Sequence, residues 1–118
     1  MSEQYPFTGQ PSIDDDVVRP LKELLGDSFN ELINDFLDSF PLKLKGLQTA
    51  SNSDNVAEIL QISHTLKSSS GSFGFTRLFK RLEHLELQAR NNHLVEHEKQ
   101  VDLIDEEFKY ILQQMRNS

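Results

Sequence analysis

The sequence predicts an all-α fold, an antiparallel up-down four-helix bundle with a short additional N-terminal helix. Three observations carry this. Apolar residues recur at steps of three and four through most of the chain, short polar stretches separate the runs, and no segment reads as a strand. Amphipathic helices joined by short polar loops pack most simply as an up-down bundle, with the extra helix capping one end.

The elements follow in order. Residues 1–12, with Pro6, Gly9 and Pro11, read as a flexible N-terminal tail with too little apolar content to pack, and a helical bundle domain spans 13–117. Ser12 precedes Asp14, Asp15 and Asp16, which suit the positive end of a helix dipole. Val17, Val18, Leu21, Leu24 and Leu25 then give an apolar face up to a stop at Gly26. Pro20 inside this run predicts a kink or a start at Arg19. A longer helix carries Phe29, Leu32, Ile33, Phe36, Leu37, Phe40, Leu44 and Leu47. Its phase continues across Pro41, which favours one kinked helix over two.

Ser51 to Asn55 supply a break and an N-cap for the next helix, whose inward stripe is Val56, Ile59, Leu60, Ser63, Leu66, Ser70 and Phe73 and which ends around Gly71 to Gly74. A following helix starts near Phe75, buries Leu78, Leu82, Leu85 and Ala89, and stops at Asn91-Asn92. Val101, Ile104, Phe108, Ile111 and Met115 mark the last. About twenty buried aliphatic and phenylalanine side chains, at roughly 1.5 to 3 kcal/mol each, are of the right order to offset chain entropy, so a monomer is the expected state.

Composition limits the function. A chain of 118 residues holds about one domain, too little for this core plus a nucleotide-binding catalytic domain. A net charge of −7 argues against nucleic acid, whose phosphates call for clustered Lys and Arg, and points to a protein partner. With no cysteine there is no disulfide framework and no thiolate metal site. The first dozen residues lack a basic n-region and an apolar run, and nothing approaches the roughly 18 apolar residues of a membrane span. The expected location is cytoplasmic, without membrane association.

The segment from Gln61 to Phe75 is the most informative. It sets His64 and Lys67 three residues apart and follows them with Ser68, Ser69, Ser70 and Gly71. At 100° per residue His64 points roughly 130° away from the centre of the inward stripe, with Lys67 between, so its imidazole faces water. Lys67, Ser68 and Gly71 share its helix surface, and their small neighbours let a bulky partner approach the ring. His93 and His97, four apart, lack the His-Glu-x-x-His pattern and read as a polar loop and helix start, so no metal site is assigned. Arg77, Lys80 and Arg81 read as a solvated face, and Lys67-Ser68 lacks the glycines and the leading strand of a P-loop.

The run from His64 to Gly74 resembles the motif of histidine-containing phosphotransfer (HPt) domains of multistep phosphorelays, His-x-Leu-Lys-Gly-small-small-x-x-apolar-Gly. Leu85-Glu86 with Ala89-Arg90 also fits, and the helical pattern is similar from about Ile13 to Met115. The resemblance implies that His64 is the phosphorylated nucleophile, that Lys67 stabilises phosphoryl charge and that Arg90 is an accessory basic position. Leu60, Gln61, Ser68 and Gly71 form the access and docking surface. Ser68 departs from the usual glycine, and its hydroxyl is a potential donor to a phosphate oxygen. Glu86 stands where some members have a glutamine; since a carboxylate repels a phosphoryl group, no role is carried over to it.

The implied function is to accept a phosphoryl group from a receiver-domain aspartate onto His64 and pass it to the aspartate of another receiver. The partners are receiver domains of hybrid sensor kinases and response regulators. No cofactor is bound by this chain, Mg2+ is supplied by the receiver, and no ATP-dependent kinase activity is expected. An exposed imidazole, with an ordinary pKa of about 6.5, is mostly neutral at physiological pH and has a lone pair to attack an acyl phosphate. Transfer then depends chiefly on in-line positioning and charge stabilisation. A kinase dimerisation segment is disfavoured because no Thr-Pro pair follows His64. The alternative is a non-catalytic bundle that binds or sequesters a signalling partner without phosphotransfer; it predicts that replacing His64 leaves function intact.

Overall fold

The computed structural model describes residue 7 and residues 9–117. Among the described residues the chain is all-helical, with α1 at Asp15–Leu25, α2 at Asp27–Asn52, α3 at Val56–Ser72, α4 at Thr76–Arg90 and α5 at His97–Arg116. Helix α2 packs on α3 and α5, and α4 packs on the same two, so these four enclose a common core. The α3–α4 contact is the most extensive, and α1 lies against α2.

Helix α1 begins at Asp15 and runs through Pro20, so of the kink or the start at Arg19 the later start is excluded. Pro20 forgoes one hydrogen bond near the N-terminus, where Asp14 already caps the chain by accepting from the Asp16 N–H at 3.0 Å. Gly26 ends α1 at φ 57°, a conformation glycine adopts without steric cost, and its N–H bonds the Lys22 carbonyl. The next helix is continuous across Pro41 to Asn52. Asn55 caps α3 through the Glu58 N–H.

The core is rich in phenylalanine. Phe36 lies within 5.2 to 5.4 Å, centroid to centroid, of Phe40, Phe73 and Phe75. Phe40 stacks on Phe108 at 4.2 Å. Two residues placed on apolar faces by periodicity, Leu24 and Leu32, are exposed instead. The turn between α3 and α4 requires Gly74. Its φ is 77°, and a Cβ there would sit 2.8 Å from Val17 Cβ, while its carbonyl accepts from the Asp14 N–H.

Of the N-terminal tail assigned to 1–12, residues 1–6 and 8 lie outside the described residues. Further along, the Gln10 carbonyl accepts from Arg77 Nε and the Pro11 carbonyl from the Arg77 N–H, each at 3.0 Å, and the Phe7 ring meets His84 edge-on. No described helix is long and apolar enough to cross a membrane.

Candidate functional site

The inner edge of α3 carries serines that satisfy themselves. Ser63 donates to the Ile59 carbonyl at 2.6 Å and Ser70 to the Leu66 carbonyl at 2.8 Å, so two hydroxyls enter the core without an orphaned donor. Their small size lets α4 approach closely. One residue past Ser63, His64 projects outward with 59% of its side chain exposed.

Beneath it lies Glu86 of α4, a carboxylate only 3% exposed, on the edge of the face that buries Leu82, Leu85 and Ala89. Its Oε2 is 2.8 Å from His64 Nδ1 and accepts from Arg90 Nη2 at 2.7 Å; its Oε1 is 2.7 Å from Lys67 Nζ. Local geometry supplies one of these partners and pairs the other two. Lys67 is one turn along α3 from His64, and Arg90 is one turn along α4 from Glu86. Packing of α3 on α4 supplies the rest.

Burial pushes the Glu86 carboxyl upward, but hydrogen bonds from Lys67, His64 and Arg90 outweigh it and hold it below the usual carboxylate value of 4.5. It is therefore an ionised, acceptor-only group, and the hydrogen between it and His64 sits on Nδ1. In that tautomer Nε2 carries the lone pair. Glu86, to which no role was carried over, is thus drawn into the same cluster as His64 and Lys67. The carboxylate is matched by two cations, so with a neutral imidazole the cluster is net positive and does not repel a phosphoryl group on its own account. The Glu86-Arg90 spacing and the place of Glu86 beside Leu85 were the signals available in the sequence.

The remaining positions named from the sequence share the His64 surface to different degrees. Gln61 and Ser68 are exposed a turn to either side, while Leu60 is half-buried against the core. The Ser68 hydroxyl is turned inward, donating to the His64 carbonyl at 3.1 Å, so its hydrogen is spent within the helix. Gly71 has a packing reason for its size, because a Cβ would fall 2.9 Å from Phe79 Cδ1. Arg90 reaches the site through Glu86 with 55% of its side chain exposed. His97 lies elsewhere, its Nε2 bonded to the Ser51 carbonyl and to Asp54 Oδ1. Among the described residues no group of three or more His, Asp or Glu converges as a metal site.

Fold and site together define a helical bundle that displays an exposed imidazole on α3, held from below by a buried carboxylate and flanked by a lysine. The Hpt domain family model matches residues 31–118. The chain therefore belongs to the Hpt domain family, whose members are phosphocarrier modules of phosphorelays and not kinases. The crystal structure of histidine-containing phosphotransfer protein B (HptB) from Pseudomonas aeruginosa PAO1 is similar with a TM-score of 0.83 at 23% identity, covering 92% of this chain and 96% of that one. At that identity the likeness bears on the fold. No curated protein matches the chain.

Proposed function

We propose that this protein is a phosphorelay intermediate that takes a phosphoryl group from a receiver-domain aspartate onto His64 Nε2 and delivers it to the aspartate of another receiver. The observation that carries the reading is the 2.8 Å contact between His64 Nδ1 and the ionised Glu86, which fixes the proton on the inner nitrogen and leaves the lone pair on the outer one.

The Nε2 lone pair attacks phosphorus as the bond to the aspartate oxygen breaks, and the carboxylate leaves without needing a proton. No general base on this chain is required. Lys67, at 21% exposure, is near enough to the ring's helix turn to turn from Glu86 toward the incoming phosphoryl oxygens. Onward transfer runs the same step in reverse on a second receiver. The partners are receiver domains of hybrid sensor kinases and response regulators, which bring the Mg2+, and this chain binds no cofactor of its own. Helices α2 to α5 run as an antiparallel up-down bundle in this reading, supported by the short loops between them, and the protein works as a cytoplasmic monomer. Gln61, Ser68 and the rim of Leu60 form the surface over which the receiver sits, with Gly71 keeping α4 close behind it.

The test is to mix the purified protein with a phosphorylated receiver domain, beside a His64→Gln variant. Acid-labile, alkali-stable phosphate on the wild type and none on the variant is the expected result. Equal labelling of both would overturn the reading. Absence of label with receivers that phosphorylate another carrier would favour a binding module without phosphotransfer.

A further inference from the structure

The phosphorylated ring would face the same carboxylate as the free one, and its protonation decides how readily it gives up its load. Once Nε2 bears the phosphoryl group, a hydrogen retained on Nδ1 makes the ring a cation. When the N–P bond breaks and the bond to the receiver's aspartate oxygen forms, that proton stays on Nδ1 and the ring departs as neutral imidazole. If the proton has been lost, the ring must depart as an imidazolate, a far poorer leaving group. A positioned anion at Nδ1 therefore favours release as well as attack.

We infer, on the basis of the phosphocarrier reading, that the negative charge of Glu86, and not merely its hydrogen bond, keeps the phosphorylated His64 ring protonated and so sets how fast the phosphoryl group moves onward to a receiver. The charged groups that face the ring in this structure are Glu86 and Arg90 from α4 and Lys67 from its own helix. Lys67 and Arg90 both oppose protonation of the ring. Glu86 is the group that offsets them, and at 3% exposure it is little screened by water. The carboxylate thus has two effects on the loaded carrier. It holds a proton on the leaving ring, and it draws both cations partly away from the phosphoryl oxygens they would otherwise stabilise. Each effect speeds unloading.

Glu86→Gln separates charge from geometry. The amide oxygen accepts the same hydrogen from Nδ1, so the free ring keeps its tautomer, while the negative charge is lost and Lys67 and Arg90 are left facing the phosphoryl group. The expected result is a carrier that still loads on His64 but holds its phosphate. The rate of onward transfer to a receiver falls several-fold near neutral pH, and its pH profile moves to lower pH by about 1 unit. Nitrogen chemical shifts of the ring in both proteins report whether the free tautomer is preserved and at what pH the loaded ring gives up its proton.

A Glu86→Gln protein with wild-type transfer rate and pH profile, on a correctly tautomeric ring, overturns the inference and leaves the phosphocarrier reading standing. Failure of the wild type to acquire phosphohistidine overturns both. A loaded ring that loses its proton at the same pH in both proteins overturns the charge argument even if rates differ.

Discussion

Glu86 and Glu107 are both buried acids with basic company, one between α3 and α4 and the other between α4 and α5. Glu86 is held by Lys67, Arg90 and His64 at 2.7 to 2.8 Å, and two of those partners are more than half exposed. Glu107 lies 3.5 Å from Arg77 and beside Arg81, itself buried. Burial pulls the Arg81 guanidinium below its ordinary value while Glu107 opposes the shift. Arg77 also ties the chain ahead of α1 to α4 through Gln10 and Pro11. The chemistry of the two acids is alike, and the difference lies in the partners. Guanidinium groups stay charged at any working pH, so the Glu107 cluster joins elements without a group that titrates near neutrality. An imidazole among the partners of Glu86, open to water on its far side, makes the same arrangement a candidate site.

That contrast breaks most directly at Glu107. Glu107→Ala strands buried positive charge and should lower the unfolding free energy by about 3 to 5 kcal/mol, measured by urea denaturation, with phosphoryl acceptance per folded molecule unchanged. Loss of acceptance in the folded fraction would erase the distinction between the two clusters. Glu86→Ala should show the opposite balance. Its cations can rehydrate, so the stability loss is about 1 to 3 kcal/mol, whereas acceptance from a phosphorylated receiver drops by about tenfold as the ring loses its fixed tautomer.

Next in size is the seam that holds Glu86 in place. Gly71→Leu drives a side chain into Phe79 and should cost about 1 to 3 kcal/mol, with slower transfer; normal transfer by a folded variant would show that the α3–α4 spacing does not govern the site. A smaller effect appears with acid. The Glu86 carboxyl is depressed in the fold, so its contribution is fully present above the ordinary value of 4.5 and is lost as pH falls through the lower folded value. Urea titrations from about pH 6 to about pH 3 should therefore show the wild type losing more stability than Glu86→Gln in that acid window. The smallest change belongs to a pair outside both clusters. Arg116 and Asp38 meet at 2.7 Å on the surface, and Arg116→Ala should cost less than about 1 kcal/mol.

Much of this molecule was legible from local pattern. Steps of three and four placed the helices, Gly26 and the Asn91-Asn92 pair marked stops, and the angle of His64 from the stripe of Ile59, Ser63, Leu66 and Ser70 put its ring in water, as found. Of the two readings of Pro20, a kink or a start at Arg19, the later start is excluded, because the Asp14 cap begins α1 at Asp15 and the helix runs on through the proline. At Ser68 and Gly71 the residue types suggested a cleared approach to His64. Their actual contacts, the His64 carbonyl and the Phe79 ring, depend on rotamer and on the neighbouring helix.

The sequence by itself determined the helices, their buried faces and the exposed histidine with its lysine, because each depends on residues within a turn or two of one another. Tertiary structure alone decided the state of Glu86. Read along α4 it is an acid that should repel phosphate. Packed against α3 it becomes an ionised acceptor shared by His64 and Lys67 across the seam and by Arg90 on its own helix. The charge on a group is set by what surrounds it in space, and residues 64 and 86 become neighbours only when the two helices close on a common core.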